Sequence, residues 1–511
     1  MKNQDRLDNS LKYIAKSSII VLISLFLSKL FTYVYRIIIA RSPEFGPETY
    51  GLFSLAVMIT TIAVSIFSLG FGGGLLRYIA FYRGKKETKK ISYIINLSFK
   101  VLAIASVIGS MIMFLLSGII SINFFHNSSL IPYLRWFSLI IPISIISGLY
   151  LSILQAYEKI NWFYFIKNIL DTGAKLFFLI LFVLIGFGYL SIIYSYMLGI
   201  VLVLVISYYI YKFRLDSGIT KSNALSKSET KVIRRDLFSY SWPLIFSGLV
   251  WIFFTSTDSF IIGYFKNAES VGIYNVAIPL AALLFIAPSL FIQLFLPLMT
   301  KEFANNNYQL IKETSKQISK WIFLINLPIF IILVLFPGAI INLLFGPDYI
   351  SASQPLRILS IGLFFYSIFL VSDNLLSVAG KSRIILYNLI IATIINIILS
   401  ITLVPKFGIS GAAFSTTIVY IIWSIITMLQ AKKYTGVIPL KRKMIQIFLI
   451  SLIPTFLLIF IKSFFPLNSL TLILQGSLFF LLYLFLVIYF GGLDRNDYMI
   501  INSIKNRLHK R

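Results

Sequence analysis

Residues 189–211 read YLSIIYSYMLGIVLVLVISYYIY, twenty-three positions without one charged side chain, and Lys212 and Arg214 follow at once. A helix of about that length covers the roughly 30 Å of a bilayer's hydrocarbon, where only a backbone that bonds to itself is tolerated. The stretch is therefore a membrane span stopped by a basic anchor. Working outward, the same criterion predicts thirteen more, giving fourteen spans at 17–40, 50–77, 91–118, 130–155, 160–185, 189–211, 238–264, 271–299, 318–345, 353–379, 383–404, 408–430, 445–462 and 468–490. The first is too long for a cleaved signal peptide, carries Lys29 and Arg36, and lacks a small-residue cleavage site.

Composition agrees. Of 511 residues, 58% are hydrophobic and only 12% charged, against about 25% charged in a soluble domain. Such a chain cannot cover itself in water, which excludes a cytosolic enzyme and a nucleic-acid-binding protein. Cysteine is absent, and the two histidines, His126 and His509, lie far apart. No thiolate metal site or thiol nucleophile exists, and neither a cofactor nor a metal is expected.

The 45 Lys and Arg against 18 Asp and Glu are read as topology signals. Numbering the connections alternately places thirty-four basic residues on one side. The other side holds four: Arg41, Lys266, Lys406 and Lys462. That split predicts both termini in the cytoplasm and a multi-pass protein of the cell membrane. The longest connection, 212–237, is basic and Ser-rich, and no connection has room for a soluble domain. The expected organisation is an N-terminal lobe of spans 1–6 (1–211), the linker 212–237, a C-terminal lobe of spans 7–12 (238–430), appended spans 13–14 (445–490) and a basic tail (491–511).

The halves echo each other. Gly51 and Gly272 are 221 apart, Gly188 and Gly408 are 220 apart, and so are Asn168 and Asn388. Six spans per repeat is an even number, so both halves enter from the same side and are related by an axis along the membrane normal. The predicted fold is an all-α integral membrane protein of about fourteen transmembrane helices. Two six-helix lobes in pseudo-two-fold repeat surround a central cavity, with two C-terminal helices appended.

Several stretches resemble one family. Ala40-Arg41-Ser42-Pro43-Glu44-Phe45-Gly46-Pro47-Glu48-Thr49-Tyr50-Gly51-Leu52-Phe53 is similar to the opening of polysaccharide-type flippases of the multidrug/oligosaccharidyl-lipid/polysaccharide exporter superfamily. Leu69-Gly70-Phe71 through Arg77-Tyr78 looks like that family's second-span ending. Thr257-Asp258-Ser259-Phe260-Ile261-Ile262-Gly263 and Val271-Gly272-Ile273-Tyr274-Asn275-Val276-Ala277 look like its seventh and eighth spans. Val404-Pro405-Lys406-Phe407-Gly408-Ile409-Ser410-Gly411-Ala412-Ala413 looks like its span 12 signature. The likeness covers roughly 13–433 and departs at 42–46, where an outer loop is lengthened. It implies export of a lipid-linked oligosaccharide across the cytoplasmic membrane by alternating access.

Charge at membrane depth selects the candidate site, because each such group costs about 2.5–3.5 kcal/mol on insertion scales. Seven basic residues fall within spans (Lys29, Arg36, Lys100, Arg135, Lys167, Lys175 and Arg357), against three acids, Asp171, Asp258 and Asp373. Lys29 and Arg36 are seven apart on span 1 and share a face, a basic stripe suited to a phosphate. Lys167, Asp171 and Lys175 follow i, i+4, i+8 spacing on span 5. Lys29, Arg36, Lys167 and Lys175 are the candidate substrate-binding residues. Asp171 and Asp258 are candidate ion-coupling groups or charge partners, Asp258 for Arg36. Snorkelling explains Lys100, Arg135 and Arg357, and a structural bond suits Asp373. Pro279, Pro288 and Pro297 mark span 8 as a helix able to bend.

The partners expected are a phosphate- or pyrophosphate-linked polyprenol glycan, membrane lipids and glycan assembly enzymes, with no nucleic acid. A multidrug exporter of the same superfamily is the alternative, disfavoured because cationic drugs need acidic cavities. A membrane glycan-processing enzyme would need a substantial outer loop, and a scaffold would show no ligand binding. Gly380-Lys381-Ser382 is no P-loop, since Leu375 stands where its first glycine belongs. Gly70-Phe71-Gly72-Gly73-Gly74 is read as close helix packing.

Overall fold

The computed structural model describes residues 23–215, 225–464, 468–494 and 497. The basic N-tail, the middle of the 212–237 linker and most of the 491–511 tail lie outside the described residues. In chain order the helices are α1 (Ile23–Arg41), α2 (Pro47–Phe67), α3 (Phe71–Gly84), α4 (Thr88–Ile119), α5 (Leu130–Ser138), α6 (Ile140–Ala156), α7 (Ile160–Tyr164), α8 (Asp171–Ile185) and α9 (Leu190–Arg214). They continue with α10 (Lys227–Phe265), α11 (Ala268–Ala281), α12 (Ile286–Ala304), α13 (Tyr308–Leu335), α14 (Pro337–Phe345), α15 (Ser353–Val378), α16 (Ser382–Thr435), α17 (Lys443–Phe464) and α18 (Ser469–Tyr489). No strand occurs among the described residues.

Among the described residues, thirteen helical segments are long and apolar enough to cross a membrane. The longest, α16, is two spans. Its 54 residues would reach about 81 Å if straight. Instead Asn388 and Gln430 exchange hydrogen bonds of 2.6 and 3.0 Å, and Asn396 donates to Thr416 Oγ1 at 2.9 Å. The chain therefore doubles back at Pro405–Gly408, where Gly408 takes φ 58°, ψ −138°. The reversal restores the fourteenth crossing. Gly188, 220 residues earlier in the turn between α8 and α9, takes the same φ of 58°. Two positions paired by sequence spacing thus share a conformation that glycine adopts without steric cost.

The first compact unit spans Met1–Asn275 and the second Val276–Arg511. The division falls within α11 instead of the 212–237 linker because α10 packs on α2 and α3. In the first unit the glycine run at 70–74 makes that packing possible. A Cβ on Gly70 would lie 2.2 Å from the Ser241 carbonyl oxygen, and one on Gly74 2.2 Å from Ser241 Oγ. The two repeat glycines also meet each other's helices. A Cβ on Gly51 would sit 1.7 Å from the Ala268 carbonyl oxygen, and one on Gly272 1.9 Å from that of Pro47.

In the second unit α15 is the enclosed helix, packed against α13 and α16. A break between α11 and α12 is repaired by a side chain. Pro288 has no N–H to offer the carbonyl of Leu284 four residues earlier, and Asn326 Nδ2 donates to that oxygen at 2.8 Å.

The end of the described chain is clasped to the same unit. The fully buried Lys320 ammonium meets Asp494 at 3.0 Å and Asp497. Asp497 also accepts 2.7 Å bonds from Gln317 Nε2 and Trp321 Nε1, and Lys441 pairs with Asp494. Partial burial raises the Asp494 carboxyl, but hydrogen bonds and charge from Lys441 and Lys320 outweigh it and hold the group well below the usual carboxylate range. Its contribution to stability is present above the ordinary carboxylate pKa and is lost only as pH falls through the lowered folded value.

Two measurements check this packing. Gly51→Ala sets a Cβ against backbone that cannot rotate away, so it should destabilise the protein by about 1–3 kcal/mol or more; an unchanged melting temperature in nanodiscs would refute the contact. Asp497→Ala leaves a buried ammonium short of a partner and should cost about 3–5 kcal/mol at neutral pH, measured as a loss of thermal stability that Asp497→Glu restores in part.

Candidate functional site

The site is built from α1 upward. Ser24, Phe31 and Tyr35 recur at seven and four residues and form the packing face of this helix. Ser24 Oγ accepts from Asn168 at 3.2 Å, the Phe31 ring lies 3.4 Å from where a Cβ on Gly173 would be, and the Tyr35 hydroxyl is 3.4 Å from Ser195 Oγ. Lys29 and Arg36 lie roughly 140° round the helix from that face. They share a side, as their spacing predicts, and it is turned away from α8 and α9. Lys29 is exposed and has no hydrogen bond or ion pair to the described residues.

Arg36 is half-buried and ties three elements together. Its Nη1 donates to the Tyr50 hydroxyl at 3.1 Å and to the Asn275 carbonyl at 3.2 Å. Asn275 donates in turn to Ser259 Oγ at 3.1 Å, and the Tyr274 hydroxyl donates to Asp258 Oδ2 at 2.5 Å. The Arg36 knot and the buried Asp258 thus flank the Gly51–Gly272 contact. The expected Arg36 and Asp258 are joined to this region through Tyr50, Tyr274 and Asn275.

Lys167, Asp171 and Lys175 line one cavity of about 240 Å³, with Ser144 and Ser147 of α6 and Tyr196 of α9. Lys29 and Arg36 are not among its lining residues. Sequence spacing placed plus, minus and plus along one α-helical face. The structure winds Phe165–Leu170 as a wider π turn between α7 and α8, which alters that register while keeping all three on the cavity. Lys175 pairs with Asp171 at 2.8 Å, and its ammonium sits 4.1 Å from the centroid of the Tyr196 ring. Lys167 lies 5.2 Å from the Phe163 centroid and is exposed. Lys175 thus has a carboxylate partner, and Lys167 meets none among the described residues.

The remaining charges at membrane depth are local. Arg357 donates to the Val334 carbonyl at 3.0 Å and to Gln354, and Arg135 sits 5.4 Å from the Phe114 centroid. Buried Asp373 accepts from the Tyr366 hydroxyl at 3.1 Å and from Trp423 Nε1 at 3.2 Å, a bond that fixes α15 to α16. Arg77 stacks 4.3 Å from the Tyr240 centroid. No cluster of His, Cys, Asp and Glu able to hold a metal ion occurs among the described residues.

Sequence reasoning missed Tyr50, Asn275 and Tyr196. Tyr50 and Asn275 lie beside or near the repeat glycines, so the repeat carried a signal. Nothing in the sequence says that the two glycine turns touch.

Comparison with known proteins adds ancestry to this geometry. A family model described as "Polysaccharide biosynthesis protein" matches residues 14–303, and one described as "MatE" matches 243–402. An uncharacterised membrane protein of Methanocaldococcus jannaschii is 30% identical over 57% of this chain, and the match spans 57% of that relative's length. The putative O-antigen transporter of Shigella flexneri is 25% identical over 76% of this chain and 88% of its own. Among solved structures, the lipid II flippase MurJ in an inward closed conformation aligns with TM-score 0.72 at 18% identity, covering 93% of this chain and 99% of that one. That likeness establishes the fold. With more than half its length matched, the chain belongs to the polysaccharide biosynthesis protein family.

Proposed function

We propose that this protein moves a lipid-linked oligosaccharide or polysaccharide precursor from the inner to the outer leaflet of the cytoplasmic membrane by alternating access. The observation that carries this reading is the unpaired Lys29 on the same side of α1 as Arg36, turned away from the packing face. Of the seven basic residues in the predicted spans, Lys175 is the one that meets a carboxylate among the described residues. Such a surplus suits an anionic substrate. Lys29 supplies a point charge to the phosphate or pyrophosphate, and Arg36 supplies a fork that uses two directions on Tyr50 and Asn275 when no substrate is present. Lys167 adds charge at the cavity it lines with Asp171 and Lys175.

The family relation supports this substrate class, as does the likeness to an O-antigen transporter and to a lipid II flippase. The basic connections place both termini in the cytoplasm on this reading. An inside-negative potential then favours outward movement of the anion by about 2.3 kcal/mol per charge per 100 mV. Asp171 is held by Lys175 and Asp258 by the Tyr274 hydroxyl, so an ion-coupled cycle would have to break one of those bonds. Binding at Arg36 competes with its bonds to Tyr50 and Asn275. In this cycle substrate entry therefore loosens the knot beside the glycine contact, which is how occupancy reaches the gate.

The test is translocation of a fluorescent lipid-linked oligosaccharide in proteoliposomes, with and without an imposed potential. Wild type should flip the lipid, and an inside-negative potential should speed outward movement. Lys29→Gln should reduce the rate at least about tenfold without loss of folded protein, as expected for removing a charged contact worth about 1.5–3 kcal/mol. Arg36→Lys keeps the charge, loses the fork and should fall between the two. Full activity of a folded Lys29→Gln/Arg36→Ala variant would remove both from the site. Failure of wild type with several polyprenol carriers, together with efflux of cationic drugs, would transfer the assignment to drug export.

A further inference from the structure

A second basic feature lies outside the transport residues. The first turns of α10 carry Lys227, Lys231, Arg234 and Arg235. Lys227, Lys231, Arg234 and Phe238 recur at four, three and four residues and share one face. With Tyr93 of α4, that face walls a cleft of about 730 Å³, the size of a small-molecule site. No carboxylate is among its lining residues. Glu229 caps its own helix through Ser226 and Glu87 pairs with Lys90 at 2.9 Å, while Asp236 lies 3.6 Å from Arg235 Nε, the one cation of the cleft lining that meets a carboxylate among the described residues. Ile233 and Leu237 are buried, which fixes the helix and keeps its basic side turned to the cleft. Beside the cations, Val232 is 48% exposed, so apolar and cationic surface adjoin as they do where a protein meets headgroups.

We propose that this cleft binds the phosphate of an anionic lipid headgroup at the membrane surface. Arg234 and Arg235 grip phosphate oxygens through their planar forks, Lys227 and Lys231 supply point charges, and Tyr93 and Phe238 enclose the group that carries the phosphate. None of these residues belongs to the Lys29, Arg36 and Lys167 set, so the inference stands whichever substrate is carried across. A free phosphate compound offers the same chemistry without the acyl chains.

The experiment uses the full chain in two arms. In the first, native mass spectrometry counts phosphatidylglycerol and phosphatidylcholine molecules retained from mixed micelles. In the second, inorganic pyrophosphate is titrated into protein held in phosphatidylcholine nanodiscs, and the melting temperature is read. Wild type should favour phosphatidylglycerol by about tenfold or more, in line with several cations near an anionic headgroup. Lys231→Gln/Arg234→Gln should abolish the preference. Thr230→Glu places a carboxylate in the cleft while keeping every basic topology signal, and it should do the same. Lys212→Gln, which removes one charge outside the cleft lining, should change nothing. Stabilisation by pyrophosphate without a lipid preference would retain the phosphate site and overturn its lipid source. No response to either probe, a preference that survives both cleft variants, or an equal loss in Lys212→Gln would overturn the site.

Discussion

A backbone carbonyl in hydrocarbon has no water to turn to, and that constraint shapes the whole chain. It explains why the described residues are helical, and it also governs the places where helices fail. At Pro288 the missing donor is replaced by Asn326 from another helix. At Pro405–Gly408 the chain reverses, and each arm resumes its own ladder. The same constraint explains the behaviour of the hydroxyls. Ser54, Thr60, Thr172, Ser360 and Thr393 each donate to the carbonyl four residues back on their own helix. Satisfied locally, they carry little information about neighbours. Specificity between helices falls to a few amides, phenols and charges, which are the residues found at the Arg36 knot, the Asn388–Gln430 pair and the Asp373 bond.

Close approach supplies the rest of that specificity. Lipid tails are as apolar as leucine, so helices gain little from hydrophobicity when they associate, and small residues let backbones touch instead. Gly51 and Gly272 meet the opposing backbone so tightly that neither could carry a methyl group. The Arg36 bonds to Tyr50 and Asn275 lie beside that contact. A charged side chain and a glycine contact thus share one junction, and displacing the first changes the support of the second.

The sequence made the number of crossings, the equivalence of Gly188 and Gly408 and the shared side of Lys29 and Arg36 legible, because each depends on local periodicity or on a fixed repeat offset. It left other things hidden for a physical reason. The π turn at Phe165–Leu170 has no composition that distinguishes it from an α-helix, so the i, i+4, i+8 reading named three residues that line one cavity but gave them the wrong winding. Lys320 reads as an ordinary loop lysine among thirty-four basic anchors, yet it is fully buried on two carboxylates more than 170 residues away. Long-range pairing of this kind is set by the packing of whole helices and leaves no local mark.

On the function proposed above, the distinction between paired and unpaired cations decides which substrate the protein takes. A lysine that meets a carboxylate, as Lys175 meets Asp171, contributes a dipole and little net field. Lys29 and Lys167 have no such partner among the described residues, and in a low-dielectric surround their charges act over a longer range than in water. A cationic drug entering beside them would be repelled as it lost its hydration. A phosphate would lose hydration too, but it would exchange that water for ammonium and guanidinium donors already in place.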